Sequence, residues 1–236
     1  MKPGTLYLIP VTLGGDDIET VLPANVVNIA RQLDIFIVEN EKSARQFLSL
    51  IKPAKPIREL TLLTLNEHTG SKELPSLLMP LLQGHDVGVI SEAGCPGIAD
   101  PGADLVRLAH QKGIRIAPMV GPSSILLALM ASGLDGQRFA FLGYLPSEKG
   151  ERVQKLRELE KRSQQLQETQ IFIEAPYRNQ HMLQDIVDTC HADTRLCIAC
   201  NISLDNELIV SKSIADWKKG ELPNLHRQPT VFLLLG

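Results

Sequence analysis

Aromatic residues are scarce in this chain: Phe, Trp and Tyr make up 4% of its 236 residues, with a single Trp. So few rings offer little on which the bases of a single nucleic-acid strand can stack. The net charge is −3, so no global positive field draws the protein towards phosphate, although a local basic surface remains compatible with it. No apolar run approaches the roughly 20 residues that a helix needs to cross a bilayer. The start, Met1-Lys2-Pro3-Gly4, runs directly into apolar sequence and does not read as a signal peptide, which favours a cytoplasmic protein. Cysteine is sparse, at 95, 190, 197 and 200. Cys197 and Cys200 form a CxxC inside an apolar run, where strand geometry turns residues three apart to opposite faces. No second CxxC or nearby His pair completes a zinc set, so buried thiols and no metal are expected. The six histidines (68, 85, 110, 181, 191 and 226) show no ligand spacing. There is no G-x-S-x-G elbow and no phosphate-loop lysine, which counts against an α/β-hydrolase and a P-loop enzyme.

What is present is a globular composition, 44% hydrophobic and 22% charged, in a chain long enough for one large or two small domains. The first half alternates two periodicities. Short apolar runs at 6–9, 35–38, 60–65, 87–90 and 114–117 read as buried strands. Between them, Leu22, Val26, Ile29 and Leu33 fall at helical spacing, and helices are expected over 43–51, 74–82 and 103–109. Pro75 suits a first turn, and Pro80 weakens the end of the 74–82 segment. Near-continuous apolar strands separated by helices predict a five-stranded, mainly parallel sheet covered on both faces.

The pattern changes near residue 119. A helix is expected over 123–131, with Pro122 in its first turn. Strands follow at 139–142, 171–173, 196–200, 207–210 and 231–235, with helices over 150–167 and around Leu183, Ile186, Val187 and Cys190. The last three strands lack strong intervening helices, which predicts hairpins and a mixed sheet. The expectation is therefore two α/β domains, 1–118 and 119–236.

The most informative segment is Ser91-Glu92-Ala93-Gly94-Cys95-Pro96-Gly97-Ile98-Ala99-Asp100-Pro101-Gly102, lying between a strand and a helix. Its twelve residues hold three glycines, two prolines and two carboxylates. A loop of this length and composition at the carboxyl end of a parallel strand suits a ligand site, and equally an ordinary strand-to-helix connection. Three other segments are open in the same way. Pro10-Val11-Thr12-Leu13-Gly14-Gly15 is a ligand loop or a tight turn. Ser123 and Ser124, after Val120-Gly121-Pro122, either approach a ligand or satisfy helix N–H groups. Glu174, at a strand end, is a general base, a ligand acceptor or a partner for Arg178. The segment 148–162 carries six basic residues against four Glu, which fits a solvated helix face or an RNA-facing one.

In this order, the elements resemble the tetrapyrrole (corrin/porphyrin) methylase superfamily, which depends on S-adenosylmethionine. Within it they are most similar to the bacterial small-subunit ribosomal RNA cytidine ribose 2′-O-methyltransferase branch. That branch carries S-D-A-G-T-P-x-x-x-D-P-G where this chain has residues 91–102. Leu105-Val106-Arg107, Gly113-Ile114-Arg115, Gly121-Pro122, Ala131-Ser132-Gly133-Leu134, Arg138-Phe139 and Gly143-Tyr144-Leu145-Pro146 also match. The resemblance implies a cofactor folded between two α/β domains and a homodimer. It implies contacts from Leu13, Gly14, Cys95, Ile98, Ser123, Ser124, Glu174, Ala175, Asn201, Pro229 and Thr230.

Departures from the branch fall elsewhere. E-D-T-R is replaced by Glu39-Asn40-Glu41-Lys42, R-E-L-T-K by Cys200-Asn201-Ile202-Ser203-Leu204, and R-K-G-E by His226-Arg227-Gln228-Pro229. Lost cations weaken phosphate contacts, which dominate nucleic-acid affinity. A hydroxyl acceptor also needs a base, for which Glu39, Glu92, Asp100 and Glu174 are candidates in no order. The expected activity is methyl transfer from S-adenosylmethionine to a ribosomal RNA ribose hydroxyl. A small, tetrapyrrole-like acceptor is the second reading, and a lapsed cofactor- or RNA-binding module the third.

Overall fold

A computed structural model describes residues 2–66 and 68–236; Met1, part of the N-terminal stretch considered above, lies outside them. The chain divides into two compact units, Met1–Ser123 and Ser124–Gly236.

Among the described residues, the first unit holds a five-stranded sheet in the order β3-β2-β4-β1-β5. Its strands are β1 (Thr5–Leu8), β2 (Ile35–Val38), β3 (Thr61–Thr64), β4 (Val87–Ile90) and β5 (Arg115–Pro118). Every pairing is parallel, as the apolar runs predicted. Alternation along β2 sends Phe36 and Val38 to one face and Ile37 to the other. The first face is closed by α1 (Ala24–Gln32) and α2 (Glu41–Ile51), the second by α3 (Leu74–Leu77), α4 (Met79–Leu82) and α5 (Ala103–Gln111). In α2, Ala44, Phe47, Leu48 and Ile51 are buried at a spacing that keeps them on one stripe. Asn40 caps this helix, its side chain accepting from the N–H groups of Lys42 and Ser43.

The expected helix over 74–82 is in fact two short ones, broken at Leu78. Pro80 lacks the N–H that would continue the ladder, so it sits in the first turn of a new helix instead.

In the second unit the described residues form a sheet in the order β6-β7-β10-β8-β9. Its strands are β6 (Phe139–Tyr144), β7 (Thr169–Ile173), β8 (Arg195–Cys200), β9 (Leu208–Ser213) and β10 (Thr230–Leu235). Only the β6–β7 pairing is parallel; β10 runs antiparallel to both β7 and β8, and β8–β9 is antiparallel too. The mixed sheet read from the sequence is therefore present. One face packs on α7 (Lys149–Leu166) and α8 (Asn179–Thr189), around Leu156, Leu159, Phe172, Leu183, Ile186 and Phe232. The helix α6 (Ser124–Ser132) packs on β8, β9 and β10. It starts one residue later than expected, so Pro122 lies outside it. Residues Ile214–Trp217 form the short α9.

Leu196, Ile198 and Cys200 join the α7/α8 core while Cys197, equally buried, faces away, so the two thiols of the CxxC point to opposite sides. The basic segment is not simply a solvated face. Arg152 and Glu160 are buried. Arg152 Nε and Nη2 both donate to Asp185 Oδ2, at 2.8 and 2.5 Å, and Nη1 donates to the Ser147 carbonyl at 2.7 Å. Glu160 accepts from the Thr194 hydroxyl and the His191 N–H. The charges of α7 thus divide between water and an internal network that fixes α7 to α8.

Candidate functional site

The order of the first sheet creates a discontinuity. From β1 the chain moves outward past β4 to β2, whereas from β4 it moves the opposite way, past β1 to β5. The helices that follow β1 and β4 therefore lie on opposite faces of the sheet, which makes the carboxyl ends of these neighbouring strands a topological switch point. Open α/β sheets bind ligands at such a point.

The loops leaving the strands are tied together there. Met119 N–H donates to the Leu8 carbonyl at 3.0 Å. Val11 N–H donates to the Gly94 carbonyl at 2.9 Å, and Gly94 N–H returns to the Thr12 carbonyl at 3.4 Å. The Cys95 thiol donates to the Pro122 carbonyl at 3.3 Å. Two glycines make this approach possible. A Cβ on Gly121 would lie 2.3 Å from Pro10 Cβ. Gly94 has φ +68°, and a Cβ there would lie 3.1 Å from Leu13 Cδ2 and 3.4 Å from the Pro122 carbonyl oxygen. Ala99, at φ +63°, adopts the left-handed region without being glycine, so the loop stores strain of about 1–2 kcal/mol.

Of the sequence-predicted residues in this unit, Leu13, Gly14 and Cys95 lie in the tied loops, Ser123 closes the unit, and Ile98 is 53% exposed on the outside of the central loop. Three candidate carboxylates line the same edge. Glu39 follows β2, and its Oε2 accepts from the Glu92 N–H at 3.4 Å. Asp100 is half-buried; burial and the charge of Glu92 push its carboxyl up, against a hydrogen bond from Ser91 that pulls it down. Burial and the nearby Asp100 in turn push the Cys95 thiol up, so it stays protonated and able to donate.

In the second unit, Ser124 opens α6. The other predicted residues gather at one edge of the sheet because β10 is antiparallel to its neighbours. Thr230 pairs with Cys200 and Val231 with Ile173, so the start of β10 sits beside the ends of β7 and β8. This brings Glu174, Ala175, Asn201, Pro229 and Thr230 to a common rim. Glu174 is not a free base: its Oε1 accepts from Arg178 Nη2 and from the Ala175 N–H, both at 2.6 Å. The pairing with Arg178 is one of the alternatives its sequence position left open. Asn201, at φ +51°, donates its backbone N–H to the Pro229 carbonyl.

Sequence reasoning passed over Gln228 and Asn179. Asn179 Nδ2 donates to the Gln228 carbonyl at 2.6 Å, and Asn201 Nδ2 to Gln228 Oε1 at 2.7 Å. The one signal for Gln228 was its place in a segment that departs from the family pattern.

A family profile described as Tetrapyrrole (Corrin/Porphyrin) Methylases matches residues 5–217. Ribosomal RNA small subunit methyltransferase I of Pasteurella multocida is 31% identical over 236 residues, covering 99% of this chain and 79% of that protein. The protein of the same name from Pseudomonas aeruginosa is 31% identical over 240 residues, covering 100% of this chain and 80% of its own length. The crystal structure of the methyltransferase CobJ shares the fold at a TM-score of 0.65 and 16% identity, covering 99% of this chain and 94% of that one. Uroporphyrin-III-C-methyltransferase from Thermus thermophilus does so at 0.56 and 17%, covering 100% and 93%. The chain belongs to the tetrapyrrole (corrin/porphyrin) methylases, a family of S-adenosylmethionine-dependent methyltransferases.

Proposed function

We propose that this methyltransferase acts on a ribose hydroxyl of ribosomal RNA in the cytoplasm. The support for ribosomal RNA as the acceptor is the name carried by relatives about 31% identical over nearly the whole chain, and the ribose hydroxyl follows from the branch that the sequence resembles. The observation that carries the donor site is the junction of the β1 and β4 loops at the switch point, fastened by Val11 N–H to the Gly94 carbonyl. Gly94 lets the two loops pack against each other, while the exposed Gly14 and Gly15 present main chain rather than side chains, so a ligand can approach it closely.

In this reading, Leu13, Gly14, Cys95, Ile98 and Ser123 hold the donor from the first unit. On the second unit taken by itself, Ser124, Glu174, Ala175, Asn201, Pro229 and Thr230 are the candidate donor contacts. S-adenosylmethionine supplies an electrophilic methyl group. The chain must hold the acceptor oxygen in line and exclude water, which is worth on the order of 7–11 kcal/mol. It must also take the hydroxyl proton. Glu174 is paired with Arg178 through Oε1, with Oε2 buried and unbonded, whereas Asp100 sits half-buried among groups that raise its proton affinity. Asp100 is therefore the base this reading selects, with Glu39 and Glu92 on the same edge.

A small-molecule acceptor is the second reading, favoured by two observations. Cys200, where the RNA-modifying branch has arginine, is 1% exposed and offers phosphate nothing. The edge of the first sheet bears the carboxylates Glu39, Glu92 and Asp100. Tritiated methyl transfer into fractionated extract separates the two: label in small-subunit ribosomal RNA supports the first, and label only in small molecules overturns it.

We also propose a homodimer, supported by Leu126 and Met130, which are 50% and 78% exposed on the otherwise apolar α6. Light scattering that gives a monomer mass at micromolar protein contradicts it.

A further inference from the structure

We infer that Gln228 is a positioning residue that locks the strand-end rim of the second unit through its side-chain amide. It rests on the reading that this rim holds the methyl donor.

The three segments of the rim are separate in sequence and share no strand. Residues 174–179 follow β7, 201–207 follow β8, and 224–229 precede β10. Gln228 touches each. Its Oε1 accepts from Asn201 Nδ2 at 2.7 Å, with the Cys200 thiol at 3.5 Å. Its Nε2 donates to the Asn224 carbonyl at 2.7 Å, closing its own loop. Its backbone carbonyl accepts from Asn179 Nδ2 at 2.6 Å and from the Thr230 hydroxyl at 3.0 Å.

The division between backbone and side chain matters. The contacts to Asn179 and Thr230 survive any substitution, so the loop remains attached to α8 and β10. The Asn201 backbone is held by its own bonds to Pro229 and Leu204, but its side-chain amide, 5% exposed on a left-handed backbone, is held by the Gln228 amide. Without Gln228 Oε1, the Asn201 amide is left buried with its Nδ2 unpaired. Pro229 reinforces the lock by restricting the backbone of the residue before it.

The Asn201–Gln228 link is a neutral amide pair, set beside the Glu174–Arg178 ion pair of the same rim.

The test is calorimetric titration with S-adenosylhomocysteine, beside steady-state kinetics and urea unfolding. Gln228→Ala is expected to weaken binding about tenfold, the scale of one unsatisfied buried amide, while leaving kcat at saturating donor within about twofold. In a Gln228→Ala/Asn201→Ala pair the second change adds little to the first. Gln228→Glu keeps an acceptor for Asn201 but sets a carboxylate against the Asn224 carbonyl, so binding is weak at pH 8 and recovers as the pH falls and the carboxyl regains a donor proton. Wild-type affinity in Gln228→Ala, or losses that merely track the loss of folded protein with no pH dependence in Gln228→Glu, overturns the inference. Failure of the wild-type protein to bind overturns the donor-site reading itself.

Discussion

Val11 donates its backbone N–H to the carbonyl of Gly94 at 2.9 Å, joining the loop that leaves β1 to the loop that leaves β4. The two strands are neighbours whose onward connections run in opposite directions. The bond therefore fastens two loops at the switch point that the sheet order creates, and the exposed Gly14 and Gly15 keep main chain accessible there.

Gly94→Ala tests this junction. The substituted residue must hold φ +68° with its Cβ 3.1 Å from Leu13 Cδ2. We expect a loss of about 1–2 kcal/mol in urea unfolding, together with weaker S-adenosylhomocysteine binding. Gly113→Ala is the control. It has nearly the same φ, +66°, but meets nothing within 4 Å, so it should lose comparable stability and no affinity.

Asp100 links stability to pH. Its ordinary value is 3.8, and its surroundings raise it. Below that value the carboxyl is protonated in both folded and unfolded chains. As the pH rises above it, the folded state keeps the proton longer, so stability declines until the folded group ionises too. Asp100→Asn, which retains an acceptor for Ser91, should be more stable than wild type at pH 7, with the advantage shrinking towards pH 3.8. If Asp100 is the base, the same variant loses methyl transfer by about a hundredfold or more. Unchanged activity would remove Asp100 from the mechanism.

The thiols should react in a defined order. Cys95 is partly exposed, whereas Cys190 and Cys197 are buried, and burial pushes them up to about 12 and about 11. Alkylation of the native protein at pH 7.5, followed by mass spectrometry, should label Cys95 slowly and the others only after unfolding. S-adenosylhomocysteine should protect Cys95. Labelling at Cys197 in the native protein would contradict the buried position of β8.

Arg152 and Asp185 form an ion pair whose side chains are each 6% exposed. Removing Arg152 leaves the buried Asp185 carboxylate with only the Lys149 ammonium, 3.7 Å away, so Arg152→Ala should destabilise the second unit by about 3 kcal/mol in urea unfolding. A cost below about 1 kcal/mol would mean that the pair is solvated, as surface pairs are.

Much of this was legible in the sequence because it is local. Apolar runs such as Val87-Gly88-Val89-Ile90 declare buried parallel strands, and the order of glycines and prolines in 91–102 declares the family. What escaped depends on distant partners. Arg152 looked like one more solvated cation until folding brought Asp185 to it across 33 residues. Gln228 meets Asn201 across 27 residues, through antiparallel register that composition does not encode. The break at Leu78 lay between the two extremes: Pro80 announced a weak point, but two short helices rather than one frayed end required knowing how each turn packs on the sheet.

The central claim is that the chain binds a methyl donor of the S-adenosylmethionine type. Calorimetric titration with S-adenosylhomocysteine tests it most directly. We expect saturable binding to each chain with a Kd on the order of micromolar to sub-millimolar, the range usual for enzyme substrates, weakened by Gly94→Ala and unaffected by Gly113→Ala. No heat of binding at millimolar ligand, from protein shown to be folded, would contradict it.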